Sequence, residues 1–162
     1  MDASKTLLDE ICADTHRLSH RLHPSQLAFV GLTSALSTFC AEFGRQNGVE
    51  IDFNHDEMPD LPSAVKTCLY RVAQEAIRNA EKHSGSRHIR LQLAARSDSV
   101  WLCVSDSGRG LRATEVESSG LGLMSMAERV RSVGGELFVR SDVDRGTSIE
   151  ASVPLPARSS LR

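Results

Sequence analysis

The chain has 162 residues, enough for one domain with a helical appendage and for a hydrophobic core that needs no staples. Nineteen Lys and Arg against 21 Asp and Glu give a net charge of -2, which argues against a basic nucleic-acid module. Aromatic residues make up only 4%, too few for a base-stacking platform. No apolar run approaches the ~18 residues of a membrane span, and the start lacks the charged-then-apolar pattern of a signal peptide. Cys12, Cys40, Cys68 and Cys103 are widely spaced, with no CxxC and no zinc-like Cys/His cluster. They are expected to be small buried hydrophobes in a reducing cytoplasm.

In chain order, the spacing predicts a first helix over roughly Ser4 to Leu22, where Leu8, Ile11, Thr15, Leu18 and Leu22 follow the 3-4-3-4 pattern of a helix-bundle seam. Pro24 ends it. A second helix is expected from about Leu32 to Gln46, stopped by Asn47-Gly48. Val49 to Phe53 alternates like a strand, and His55 to Leu61, with three acids and Pro59, reads as a loop. From Pro62 a long helix runs to about His83. Strands follow at His88 to Ala94 and Val100 to Ser105. Ser107 to Ser119 has the composition of a mobile loop, and Leu121 to Val133 is helical up to Gly134-Gly135. Strands at Glu136 to Ser141 and Thr147 to Val153 flank a turn at Asp144-Arg145-Gly146. The tail after Pro156 is polar and expected to fray. The domain is therefore α+β, a mixed, mainly antiparallel sheet covered by helices on one face.

Four features of this chain suit chemistry. The long helix has an apolar stripe of Leu69, Val72, Ala73, Ala76, Ile77 and Ala80, with Arg71, Gln74, Arg78 and Glu81 expected towards solvent. On a third face it groups Glu75, Asn79, Lys82 and His83. An amide oxygen is a neutral hard ligand for Mg²⁺ beside phosphates, and Lys82 and His83 offset phosphate charge. Asp106-Ser107-Gly108-Arg109-Gly110 follows a strand. Its glycines allow close approach of a ligand, and Asp106 can accept from an amine such as that of adenine, whereas guanine presents a repelling carbonyl. Gly120-Leu121-Gly122-Leu123 opens a helix whose free N–H groups suit phosphate oxygens. It is not a Rossmann fingerprint, because the third glycine position is Ser125. Gly146-Thr147 enters the last strand, where a small hydroxyl can line a base pocket. Each feature alone is as well explained by a solvated helix face, an Asx turn or an ordinary helix start.

Together and in this order, the four boxes resemble the ATP-binding domain of histidine kinases, in the gyrase, chaperone and MutL-like ATPase superfamily. The resemblance spans about Val49 to Pro154. Leu69-Tyr70-Arg71-Val72-Ala73-Gln74-Glu75-Ala76-Ile77-Arg78-Asn79-Ala80-Glu81-Lys82-His83 resembles the asparagine box of the subfamily that pairs with NarL/LuxR-type response regulators. Gly122-Leu123-Met124-Ser125-Met126-Ala127-Glu128-Arg129 resembles its glycine-box helix. Arg17-Leu18-Ser19-His20-Arg21-Leu22-His23-Pro24, then Leu27 and Gly31-Leu32, is similar to the end of its dimerisation and phosphoacceptor helices.

The resemblance implies a two-layer α/β sandwich of the Bergerat type over residues 32–156, preceded over residues 1–31 by the end of the bundle and followed by a tail over residues 157–162. It implies ATP and Mg²⁺ as ligands, with Asn79 on the metal and Glu75 beside it as a supporting or catalytic carboxylate. Lys82 and His83 approach the phosphates, Asp106 reads adenine, and Gly108, Gly110 and Thr147 shape its pocket. Arg109 to Ser119 forms a lid with Gly120 and Gly122 at its far hinge, and Gly120, Leu121 and Gly122 bind the nucleotide. The implied partners are the kinase's own phosphoacceptor bundle and a NarL/LuxR-type regulator, in the cytoplasm, with neither nucleic acid nor membrane contacted by this piece. A weak homodimer through Leu8 to Leu22 is a further expectation.

Two departures stand out. The aromatic box of other histidine kinases is not visible between Asp106 and Gly120. The family's phosphoacceptor histidine precedes an acid, whereas His16 and His20 precede arginine and His23 precedes proline. The chain therefore reads as the C-terminal piece of a longer sensor kinase, able to bind Mg·ATP but not to autophosphorylate alone. A stand-alone anti-sigma serine kinase and a degenerate binding or dimerisation module are the alternatives.

Overall fold

The computed structural model describes Leu27, residues 30–110 and residues 120–155. The predicted first helix, the Leu8–Leu22 seam, Cys12, most of the predicted lid and the tail lie outside the described residues. In chain order the elements are α1 (Leu32–Asn47), β1 (Glu50–His55), α2 (Ser63–His83), β2 (His88–Ala95), β3 (Ser99–Asp106), α3 (Gly120–Ser132), β4 (Glu136–Asp142) and β5 (Gly146–Pro154). Every predicted element in this span is present, with ends within about two residues of expectation, the usual uncertainty of helix and strand boundaries. Helix α1 stops at Gly48, which adopts the left-handed conformation and donates its N–H to the Gly44 carbonyl.

The five strands form one sheet in the order β1-β2-β3-β5-β4. The β2–β3, β3–β5 and β4–β5 pairs are antiparallel, but β1 runs parallel to β2, with Glu50 opposite His88 and His55 opposite Leu93. Parallel neighbours need a long crossover, and α2 supplies it. Period-two alternation turns Ile89, Leu91, Leu93, Val100, Leu102, Val104, Ile149, Ala151 and Val153 to one face, where all are buried. The helices cover that face. Leu69, Val72, Ala73, Ala76, Ile77 and Ala80 are buried, as the stripe on α2 requires. Leu36 and Met126 bring α1 and α3 into the same core. Cys40, Cys68 and Cys103 are free and buried, and burial raises their thiols, Cys40 to about 12 and Cys68 to about 11. They are inert packing residues at neutral pH.

One expectation about α2 is corrected. Gln74 is 1% exposed rather than solvent-facing. Four residues earlier on the same helix, Tyr70 packs edge-on against Phe39 of α1, with ring centroids 6.2 Å apart. Residues at i and i+4 share a face, so docking of α1 widens the buried arc to include Gln74. Its Oε1 accepts from Arg71 at 3.0 Å.

Leu69 is fully buried where α2 meets the sheet. Leu69→Ala is expected to cost about 2–5 kcal/mol, because the cavity it leaves can only partly collapse. Chemical denaturation with an unchanged m-value checks it.

Candidate functional site

The site is a cleft, open to solvent, between the C-terminal half of α2, the start of α3 and the ends of β3 and β5. Ala76, Ala80, Val104, Leu123 and Ile149 give it an apolar lining, and Asn79, His83, Asp106 and Thr147 supply polar groups.

Asp106 is the last residue of β3. One carboxylate oxygen accepts the Gly108 N–H at 2.9 Å, and the Thr147 N–H also donates to the carboxylate. Burial raises the carboxyl above its ordinary range, and these two donors oppose the shift. Beyond Asp106 the chain turns sharply. The Arg109 N–H donates to the Ser84 carbonyl at 2.9 Å, and its guanidinium Nε donates to the His83 carbonyl at 2.7 Å. The Arg109 carbonyl accepts the Asp144 N–H at 2.9 Å. One residue thus ties the loop to the end of α2 and to the β4–β5 turn. Gly108 and Gly110 sit where a Cβ would strike the Ser84 and Asp142 carbonyls, so these positions admit only hydrogen.

On the other wall, a Cβ on Gly122 would lie 2.8 Å from Glu75 Oε1 and 3.5 Å from Asn79 Nδ2. The start of α3 therefore rests on the polar face of α2. Asn79 and His83, one turn apart, both line the cleft. Lys82 is exposed and is not among the lining residues. Gly120 begins α3, and Leu121 is 82% exposed. Thr147 lines the cleft and shares a 2.9 Å hydroxyl contact with Ser141 of β4.

Of the residues singled out in the sequence, Asn79, His83, Asp106, Gly110 and Thr147 converge on one cleft, and Glu75 and Gly122 meet at its margin. Sequence reasoning missed the apolar lining, Ser141 and the Arg109 clamp. Ala76 and Ala80 had a readable signal: small residues one turn apart on a long helix leave room above the sheet. Arg109 had none, because its bonds depend on the approach of distant elements.

An apolar slot with a carboxylate acceptor at its base end, and an amide, an imidazole and a helix start further along, suits a purine nucleotide with its phosphates. The donor set fits Mg²⁺ held mainly by phosphate: Asn79 and Glu75 offer oxygens. Among the described residues no three or more His, Cys, Asp or Glu side chains cluster into a metal cage.

Residues 64–157 match the family described as histidine kinase-, DNA gyrase B-, and HSP90-like ATPase, and the chain belongs to that family. Curated relatives include the sensor histidine kinase MctS of Rhizobium johnstonii, 34% identical over 97% of this chain and 35% of its own length. The signal transduction histidine-protein kinase/phosphatase DegS of Brevibacillus brevis is 29% identical over 88% of this chain and 37% of its own. The oxygen sensor histidine kinase NreB of Staphylococcus carnosus is 29% identical over 92% of this chain and 44% of its own. The chain thus spans between a third and a half of these relatives. The blue-light activated histidine kinase of Erythrobacter litoralis EL346 shares the fold, with TM-score 0.74 and 20% identity over 92% of this chain and 52% of that one. Its isolated histidine kinase domain gives TM-score 0.69 at 20% identity, over 81% of this chain and 69% of that one. No helix among the described residues is long and apolar enough to cross a membrane.

Proposed function

We propose that this chain is the ATP-binding catalytic part of a sensor histidine kinase, delivering the γ-phosphoryl group of Mg·ATP to a histidine on a bundle helix outside this chain. The observation that carries it is Asp106: a half-buried carboxylate, held by two backbone N–H groups at one end of a cleft with Asn79 on its wall. Ionised, it accepts from the adenine amine, while Ala76, Ala80, Val104, Leu123 and Ile149 enclose the base. Asn79 holds the metal and Glu75 supports its water shell. His83 and the N–H groups at the start of α3 face the phosphates, with Lys82 as a peripheral positive charge. Bound Mg²⁺ neutralises charge on the phosphates. The chain's own contribution is alignment.

Residues 32–156 form the catalytic domain in this reading, and residues 1–31 the end of the phosphoacceptor bundle. The three N-terminal histidines lack a following acid. The chain alone therefore binds nucleotide without autophosphorylating. The bundle of the same kinase is its first partner and a NarL/LuxR-type regulator the second, in the cytoplasm. The relatives' names, all sensor or signal-transduction histidine kinases, support this reading over an anti-sigma serine kinase or a degenerate module.

Calorimetric titration of the chain with ATP and GTP, with and without Mg²⁺, tests it. ATP is expected to bind in preference to GTP and more tightly with Mg²⁺. Asn79→Ala is expected to abolish the Mg²⁺ gain, about tenfold or more, while leaving metal-free binding nearly unchanged. Failure of the intact chain to bind ATP overturns the proposal.

A further inference from the structure

The sheet ends on β4, and among the described residues no strand lies beyond it. Exposed edges of this kind are templates for pairing with another strand. The far end of this edge is already occupied. Gly110 lies against Asp142 and Ser141, and the Asp144 N–H is bonded to Arg109. The stretch left is Glu136-Leu137-Phe138-Val139-Arg140, with Phe138 47% and Val139 39% exposed.

This stretch is self-complementary in one antiparallel register. Two copies related by a two-fold axis keep their helical layers on the same side only if paired residues have the same parity. A centre on Val139 sets Glu136 against Asp142 of the second copy, and a centre on Arg140 sets two guanidiniums together. A centre on Leu137 leaves Glu136 facing Phe138. A centre on Phe138 alone satisfies every position. Glu136 then faces Arg140 twice, Leu137 faces Val139 twice on the helix side, and the two Phe138 rings meet on the open side.

We propose that a second copy of this chain pairs along β4 in the register centred on Phe138, joining two five-stranded sheets into one of ten. The pairing does not depend on the nucleotide reading. It places the contact on the ATPase domain itself, separate from the Leu8–Leu22 seam. Within each copy Arg140 also lies 3.7 Å from Glu150, which holds its guanidinium on the open face beside Phe138.

Sedimentation equilibrium of the full chain, up to about 1 mM, reads the association. Glu136→Arg and Arg140→Glu are each expected to weaken it about tenfold, since each sets like charges opposite one another at two symmetric positions. The double swap is expected to restore it to within about threefold, although it leaves the carboxylate introduced in place of Arg140 repelling Glu150 within each copy. That recovery separates an intermolecular pair from a merely local one. In a Cys12→Ser background, Phe138→Cys is expected to cross-link on mild oxidation, because directly opposed Cα atoms lie about 4.5–5.5 Å apart, within disulfide reach. Val143→Cys, in the turn beyond the pairing, is expected not to. A chain that stays monomeric overturns the proposal. So does association that ignores both single swaps, which assigns it to the N-terminal seam, or a double swap that fails to recover.

Discussion

Asp106→Asn should lower ATP affinity at least ~100-fold, about 2.8 kcal/mol, while the unliganded chain keeps its melting temperature or gains a little. The two effects have one origin. The carboxylate is half-buried and its pKa is raised, so the empty fold holds it at a cost when ionised. Its folded-state pKa lies above the unfolded value. Its contribution to stability is therefore greatest below the ordinary carboxylate pKa of 3.8 and is lost as pH rises through the folded pKa. At neutral pH the amide removes that cost and can still accept the Gly108 N–H. Nucleotide binding runs the other way, because only the ionised form is a pure acceptor for the adenine amine. ATP affinity in the parent chain should therefore fall on acidification at a higher pH than an ordinary carboxylate would give. Titrations at several pH values, with thermal melts of both proteins, check this. An Asn variant that binds ATP as tightly as the parent removes Asp106 from the base site. One that melts several degrees lower shows a structural role instead.

Gly146→Ala should be among the most damaging single substitutions in the chain, at about 3 kcal/mol or more. Two costs coincide there. Gly146 has φ +87°, where any Cβ is strained. A Cβ would also collide with the Asp106 carbonyl and press on Ser107 Cα at 3.0 Å. Both contacts are main chain, so no side chain can rotate away, and the displacement falls on the residue that would read adenine. Gly85→Ala separates the two costs. Gly85 has φ +70° but open space around its Cα, so only the left-handed strain of about 1–2 kcal/mol applies. Urea unfolding of both variants measures the difference. Equal losses would mean that the approach of Gly146 to Asp106 carries no weight.

Much of this architecture can be read from residue order. The boundary residues Gly48, Pro62 and Gly134-Gly135 mark where elements stop and start, and alternation in β2 and β5 announces a sheet with one covered face. The site is equally legible where chemistry is concentrated in short motifs. Asp106 with its two glycines, Asn79 on its helix and Gly122 at a helix start do meet around one cleft. What could not be read depends on which elements approach which. That β1 is the strand which makes the sheet mixed depends on the path of α2 across it. The burial of Gln74 depends on α1 reaching Tyr70. Arg109 looks like any charged loop residue until the carbonyls of His83 and Ser84 are placed beside it.

Asp106 closes β3, the middle strand of the five, paired on both sides over its length. The opposite wall of the cleft belongs to α3, which packs on α2 and on the edge strand β4 and exposes Leu121 in its first turn. Amide hydrogen exchange should divide the cleft accordingly. The β3 amides leading to Asp106 should exchange only through global unfolding, and those at the start of α3 through cheaper local opening. On warming, the grip on the triphosphate should loosen before recognition of the base does. Discrimination between ATP and adenosine should therefore fade at temperatures where discrimination between ATP and GTP persists.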